Sequence, residues 1–245
     1  MAGSENGTVD PKRFEIRQLF HLEEFRDVVR LQQEIWGFAD IELLPLRFLV
    51  VISRVGGHVF GAYDGREMVG ICFALPGMKP DGMPYLHSHM LGVLPPYRDY
   101  GLGRRMKIRQ REEAMARGIQ LIEWTFDPLE LKNAYLNIVK LGAIVRRYSE
   151  NQYGITASPL HGGLPTDRCY AEWWLTDQRP KGTNIVERIS FPADIARIRA
   201  EDLARARDIQ QANAEKFKSA FARGLAVTGF ERSETEGTYL LEPWK

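Results

Sequence analysis

The sequence predicts an α/β protein in which a mixed central β-sheet is flanked by helices. Three observations carry that prediction. Short apolar or alternating runs of strand length recur between amphipathic helical stretches. Two of these runs are joined through Asp64-Gly65, a hairpin signal that implies antiparallel pairing. A third, "LHSHMLGVLPPYRDYGLGRR" (86–105), passes through two prolines and a glycine pair into a helical stretch.

Taken in order, "FEIRQL" (Phe14–Leu19) alternates and reads as a first strand. "HLEEFRDVVRLQQEIWG" carries apolar residues at Leu22, Phe25, Val28, Val29, Leu31, Ile35 and Trp36, an amphipathic helix stopped by Gly37. "PLRFLVVISRVGG" opens at Pro45 and closes at Gly56-Gly57, which punctuates a short buried helix. "HVFGAYDGREMVGICFALPG" is the hairpin, and "KPDGMP" turns into the strand that holds the opening stretch. Gly101 to Gly118 is proline-free and rich in Arg, Lys, Glu, Met and Ala, which predicts a helix. "IQLIEWTF" (Ile119–Phe126) is a strand, "LELKNAYLNIVKLGA" a helix stopped by Gly142, and "IVRRYSENQYG" and "RCYAEWWL" are further strands.

After Thr176 the composition shifts to "DQRPKGT", read as a linker. Beyond it come "RISFP", a long charged helix, "LAVTGF" and "TYLLEP", a C-terminal β-α-β-β addition. Leu203, Ala206, Ile209, Ala212, Phe217 and Phe221 form the expected packing stripe of that helix. The predicted organisation is a disordered N-terminus at 1–12, a main domain at 13–176 and an extension at 177–245.

Composition narrows the function. A net charge of +1 provides no basic field for nucleic acid, and no apolar run approaches the roughly 20 residues of a membrane span. The polar start lacks the apolar core of a signal peptide. The two cysteines, Cys72 and Cys169, match no metal or redox spacing, and a reduced cytoplasmic protein is expected.

The glycine turn is the first chemical signal. The first turn of a helix leaves backbone N–H groups unpaired, and its dipole adds positive potential there. In "RDYGLGRR", Gly101 and Gly103 would let a phosphate approach that backbone, with Arg98 adding a charge-assisted contact. Met106 stands where a dinucleotide fingerprint has its third glycine, and no Gly-Lys-Ser/Thr occurs. The basic run "RRMKIRQR" reads as a solvated helix face, apart from Arg104, which lies in the first turn.

"LGVLPPYRDYGLGRRM" resembles the acyl-CoA-binding motif of the GNAT (GCN5-related N-acyltransferase) superfamily, and the order of elements over about residues 13–176 resembles it too. The resemblance implies a GNAT fold. It implies that Leu91, Gly92 and Val93 offer backbone groups to the pantetheine arm. The turn Arg98, Asp99, Tyr100, Gly101, Leu102, Gly103 and Arg104 would hold the pyrophosphate. The resemblance also implies Asn133, on the following helix, as a further cofactor contact. That helix ends in Gly142-Ala143, where the superfamily usually has Gly-Phe.

The histidines are the second signal. Residues two apart on a strand share a face, so His87, His89, Leu91 and Val93 are expected on one side, with Ser88, Met90 and Gly92 on the other. Imidazole can take the proton of an amine near neutrality. The run resembles the His-x-His-x-Leu-x-Val of arylalkylamine N-acetyltransferases, which implies His87 and His89 as the base pair. A metal site would need a third ligand, and the other histidines are His21, His58 and His161; no metal is expected. Many GNAT enzymes carry a tyrosine four residues before the Gly-Phe as general acid. Here that position is Ile138; the proton would come from Tyr135, the nearest tyrosine on that helix, or from a water, or the thiolate would leave without specific protonation. Glu123 is either a second base or a member of a buried ion pair.

"YLHSHMLGVLPPYRDYGLG", "IEWTFDPLELKNAY", "LGAIVRRY" and "HGGLPTDR" together resemble a bacterial branch of stand-alone GNAT proteins associated with N-succinylamino acid racemases. That implies acetyl-CoA or succinyl-CoA as co-substrate and a small amine or amino acid as acceptor, with Arg168 a candidate for its carboxylate. A homodimer is compatible with it. The expected function is acyl transfer from acyl-CoA to a primary amine by direct attack, with His89 as base, His87 relaying the proton and the Leu91 N–H holding the oxyanion. The rivals are a non-catalytic CoA-binding protein of the same fold and a His-x-His metal-dependent hydrolase.

Overall fold

A single sheet runs through the computed structural model, which describes residues 13–155, 162–177 and 181–244. Its ten strands among the described residues are β1 (Phe14–Gln18), β2 (His58–Asp64), β3 (Glu67–Met78), β4 (Pro84–Val93), β5 (Leu121–Phe126), β6 (Ile144–Ser149), β7 (Arg168–Trp174), β8 (Glu187–Pro192), β9 (Leu225–Arg232) and β10 (Glu236–Pro243). Their spatial order is β1-β2-β3-β4-β5-β7-β6-β9-β10-β8. β4 and β5 pair in parallel, as the helical crossover between them requires. The other neighbours are antiparallel.

α1 (Leu22–Trp36) ends where the sequence placed its stop, on Gly37 with φ 65°. α1 and α2 (Leu46–Arg54) pack on β2–β4 through Phe25, Val28, Leu31, Leu49 and Ile52. α2 departs from expectation. It buries only Leu49 and Ile52 and leaves Phe48 and Val51 exposed, because a helix of 9 residues lays one side on the sheet.

α3 (Leu102–Ala116) and α4 (Leu131–Ala134) follow β4 and β5. α4 does not continue as the regular helix the sequence suggests: Tyr135–Lys140 winds as a π-helix before Gly142 at φ 74°.

The C-terminal segment is built onto the same sheet, through Val145↔Val227 between β6 and β9. Its helical part is two pieces, α5 (Ile195–Glu201) and α6 (Leu203–Ala222), with the Asp202 side chain capping the second at the Arg205 N–H. The buried face of α6 is Ala206, Gln210, Asn213, Ala214, Phe217 and Ala220, while Leu203 and Ala212 face solvent. Phe217 joins Trp124, Phe126, Ile138 and Tyr239 in one core shared by main body and extension. Residues 1–12, the predicted disordered start, lie outside the described residues. Among the described residues no helix is long and apolar enough to cross a membrane.

Candidate active site

The site begins with one extra residue in β4. Phe73 of β3 pairs with Met90 and its neighbour Ala74 pairs with Ser88, so His89 is a β-bulge. A bulge bends its strand and breaks the alternation of faces. Here it does both. The β4–β5 pairing consists of Leu86↔Ile122 and His87↔Glu123, and the strands diverge where the bulge begins. Beyond that point the β5-facing edge of β4 presents backbone groups without a strand partner.

The two histidines do share a face, with ring centroids 6.0 Å apart and the His89 ring 5.9 Å from Phe73. The expectation that Leu91 and Val93 lie on that face is corrected. The bulge shifts parity, so Leu91 pairs with Cys72 and points toward α3. A Cβ built on Gly103 would lie 3.7 Å from its Cδ2.

Both imidazoles are held in the neutral form. Burial, with the charges of His89, Lys107, Arg147 and Lys79, lowers the pKa of His87 to about 4. The protein around His89 lowers its pKa as well, although the residue reaches solvent. His89 is therefore the more accessible proton acceptor of the two.

The far end of the diverging strands is the glycine turn. Pro95–Tyr100 forms a 3-10 helix, and Gly101 at φ 70° starts α3 with no side-chain cap and no acid in the first turn. The turn is anchored from below. Tyr100 packs 5.3 Å from Phe14, Leu102 is fully buried, and Arg105 donates to the Phe14 carbonyl at 2.9 Å. Arg98 donates through Nε to the Val93 carbonyl at 3.2 Å, and Asp99 and Arg104 are exposed. Gly101 and Gly103 leave room above the uncapped N–H groups. Gly92 has a different task from the one expected: a Cβ there would lie 2.4 Å from Trp36, so it admits α1 to the sheet.

Glu123 is not a free base. It is 2 % exposed, accepts from Lys79, and accepts from Arg147 at 2.8 Å. Its cross-strand neighbour on β7 is Glu172, 3 % exposed, which accepts from Arg146 at 2.5 Å and from the Trp174 indole at 3.2 Å. A second bulge makes this possible. Val145 pairs with Ala171 and Arg147 with Tyr170, so Arg146 is the extra residue and both arginines reach the carboxylates.

The remaining expected residues are spread out. Tyr135 makes no ring contact or hydrogen bond with either histidine; its ring lies under Arg232 at 4.3 Å, with Lys140 at 5.3 Å. Asn133 is exposed on α4. Arg168 lies on the same face of β7 as Tyr170 and Glu172 by alternation, with its guanidinium 5.5 Å from the Tyr153 ring. Among the described residues no group of three or more His, Cys, Asp or Glu side chains is arranged to hold a metal ion; His161 lies outside them.

Sequence reasoning missed Lys107. It was part of the basic run read as solvated, yet it is 2 % exposed. Its Nζ donates to Ser88 Oγ at 2.7 Å and lies 3.8 Å from the centre of the Trp124 ring. Ser88 in turn donates to Gln110 at 2.9 Å. The signal was in the spacing: Leu102, Met106, Lys107, Gln110 and Ala114 make one buried face of α3.

No family model and no curated protein matches the chain. Solved structures do. A Desulfovibrio desulfuricans protein assigned to the GNAT acetyltransferase family is 16 % identical, with a TM-score of 0.52, over 66 % of this chain and 99 % of that one. Naa50 of Arabidopsis thaliana, solved with the bisubstrate analogue CoA-Ac-MVNAL, is 15 % identical, with a TM-score of 0.51, over 65 % and 97 %. A mutant of the Vibrio cholerae spermidine N-acetyltransferase SpeG is 11 % identical, with a TM-score of 0.51, over 67 % and 95 %. The chain thus has the mixed α/β fold of the GNAT acetyltransferases.

Proposed function

We propose that the protein is an N-acyltransferase that moves an acyl group from acyl-CoA to a small amine. The observation that carries this reading is the bulge at His89. It parts β4 from β5, sets two neutral histidines on one face, and leaves the gap running to an uncapped helix N-terminus. The fold supports it, since Naa50 was solved with a CoA-based bisubstrate analogue and SpeG is a spermidine acetyltransferase.

In the proposed reaction, acetyl-CoA or succinyl-CoA places its pyrophosphate on the N–H groups opened by Gly101 and Gly103, beside Arg98 and Arg104. The amine gives its proton to His89, and His87 relays it. The free amine attacks the thioester carbonyl, whose oxyanion accepts from the Leu91 N–H.

The acceptor carries a carboxylate, as an amino acid does. Among the described residues Lys79, Arg146 and Arg147 pair with Glu123 and Glu172, so the cluster beside His87 keeps an excess of positive charge that disfavours a polyamine. Arg147, 47 % exposed, is the cation of that cluster placed to meet it, and Arg168 is the one the family resemblance implies.

Calorimetry with acetyl- and succinyl-CoA, coupled to a thiol-release assay over an amine panel, tests the reading. Turnover is expected on α-amino acids in preference to spermidine. His89→Ala is expected to lower kcat by about 100-fold or more at neutral pH. A base works only when unprotonated, so kcat/KM of the wild type should fall at acid pH, with its midpoint below the ordinary imidazole value of 6.5. Acyl-CoA binding with no turnover on any amine would point instead to a non-catalytic CoA-binding protein.

A further inference from the structure

Lys107 occupies a place that packing alone does not explain. It projects from α3 to the point where β4 and β5 part. Ser88 and Trp124 are the first residues of the two strands beyond the last pair, His87↔Glu123. The Lys107 ammonium bridges them, donating to the Ser88 hydroxyl at 2.7 Å and lying 3.8 Å from the centre of the Trp124 ring. Among the described residues no carboxylate pairs with it. A buried ammonium without a counterion is costly, so an aliphatic side chain would serve packing better. The titratable groups that interact with it are Cys72 from β3, His87 from β4 and His58 from β2. All three are held neutral by burial and offer no counter-charge.

The acyl transfer proposed above ends with a thiolate, which needs a proton. Both histidines serve the amine in that reading: His89 takes its proton and His87 relays it away, so neither keeps it for the sulfur. Tyr135 faces Arg232, and position 138 is a buried isoleucine packed in the same cluster as Trp124. We propose that Lys107 is the proton donor to the leaving sulfur of acyl-CoA, an assignment that rests on the acyl-transfer reading.

In the step, the oxyanion re-forms the carbonyl as the C–S bond of the tetrahedral adduct breaks with its electron pair on sulfur. The Lys107 ammonium gives one N–H proton to that sulfur, and the adduct nitrogen gives its second proton to water to leave the neutral amide. Free CoA thiol and a neutral amine on Lys107 result. Water entering as CoA leaves returns the proton to Lys107. Desolvation lowers the Lys107 pKa to about 8, near that of an ordinary thiol, so the transfer is close to balanced.

The test compares wild type and Lys107→Met with two donors, an acyl-CoA and its selenoester analogue, whose selenolate leaves without protonation. With the thioester, Lys107→Met should lose about 100-fold or more in kcat while the KM for acyl-CoA stays within about threefold. With the selenoester the deficit should shrink at least tenfold. Lys107→Arg keeps the charge but cannot release a proton, and should show the same split. It also serves if the Met variant fails to fold. Equal losses with both donors, or full activity with the thioester, would overturn the assignment while leaving acyl transfer standing. A wild type inactive with both donors would overturn the acyl-transfer reading and this one with it.

Discussion

Glu123 and Lys107 sit back to back on opposite faces of the same pair of strands, and both are nearly inaccessible to solvent. Glu123 is surrounded by opposite charge: Lys79 and Arg147 bind it, and the adjacent Glu172 is held by Arg146 and Arg147. Lys107 has a hydroxyl, a thiol and an indole around it, with no anion among the described residues. The first arrangement ties together β3, β5, β7 and β6 at the foot of the gap, as a fastener would. The second weakens the fold locally and places a transferable proton where the strands part. Burial alone therefore separates nothing; the balance of charge does.

Breaking the fastener should give the largest change in stability. Glu123→Gln leaves Lys79 and part of Arg147 without their carboxylate. Removing one partner of a buried pair typically costs 3–5 kcal/mol, but Lys79 and Arg147 are 22 % and 47 % exposed and regain some hydration. A loss of about 2–3 kcal/mol in denaturant unfolding is expected. A loss below about 0.5 kcal/mol would remove the distinction between the two clusters.

Lys107 should respond in the opposite sense. Lys107→Met fills a similar volume without a buried charge, so the variant should be more stable than wild type by about 1–2 kcal/mol at pH 7 while it loses activity. Denaturant unfolding of the same preparation used for kinetics measures both. A destabilised variant would make Lys107 a packing residue like its neighbours Met106 and Ala114.

What the sequence revealed follows the same division between local and distant causes. The strand, the glycine turn and the helix after it were legible because their signals sit within one run of residues, 86–118. The histidine pair was legible for the same reason. The side-chain parity beyond it was not, since the bulge at His89 is created by pairing with β3 and leaves no residue signature. Gly92 looked like part of a cofactor strand; its constraint is Trp36, 56 positions away in the chain. Lys107 was hidden by composition, because a lysine among arginines reads as solvated until the helix phase is set against the sheet. Arg147 and Glu172 became visible only once β7 was seen to lie between β5 and β6.

A pH series on the same two proteins tests the charge balance directly. The pKa of Lys107 falls from 10.5 to about 8 on folding. Below pH 8 the lysine is protonated in both states, and the penalty of burying the ammonium is fully present. Between 8 and 10.5 the unfolded chain holds a proton that the folded chain releases, so this group makes folding more favourable as pH rises. Lys107→Met lacks that contribution. Its advantage over wild type should therefore be greatest at pH 7 and narrow by about 1–2 kcal/mol between pH 8 and 10. Tyr148 and Tyr239, whose pKa values burial raises, act equally on both proteins and cancel in the difference. Cys72, raised to about 11 and in direct interaction with Lys107, does not cancel. Repeating the pair in a Cys72→Ser background isolates the lysine. A difference that stays flat from pH 7 to 10 in that background would mean that Lys107 keeps its proton as an ordinary ammonium, and the contrast with Glu123 would then rest on geometry alone.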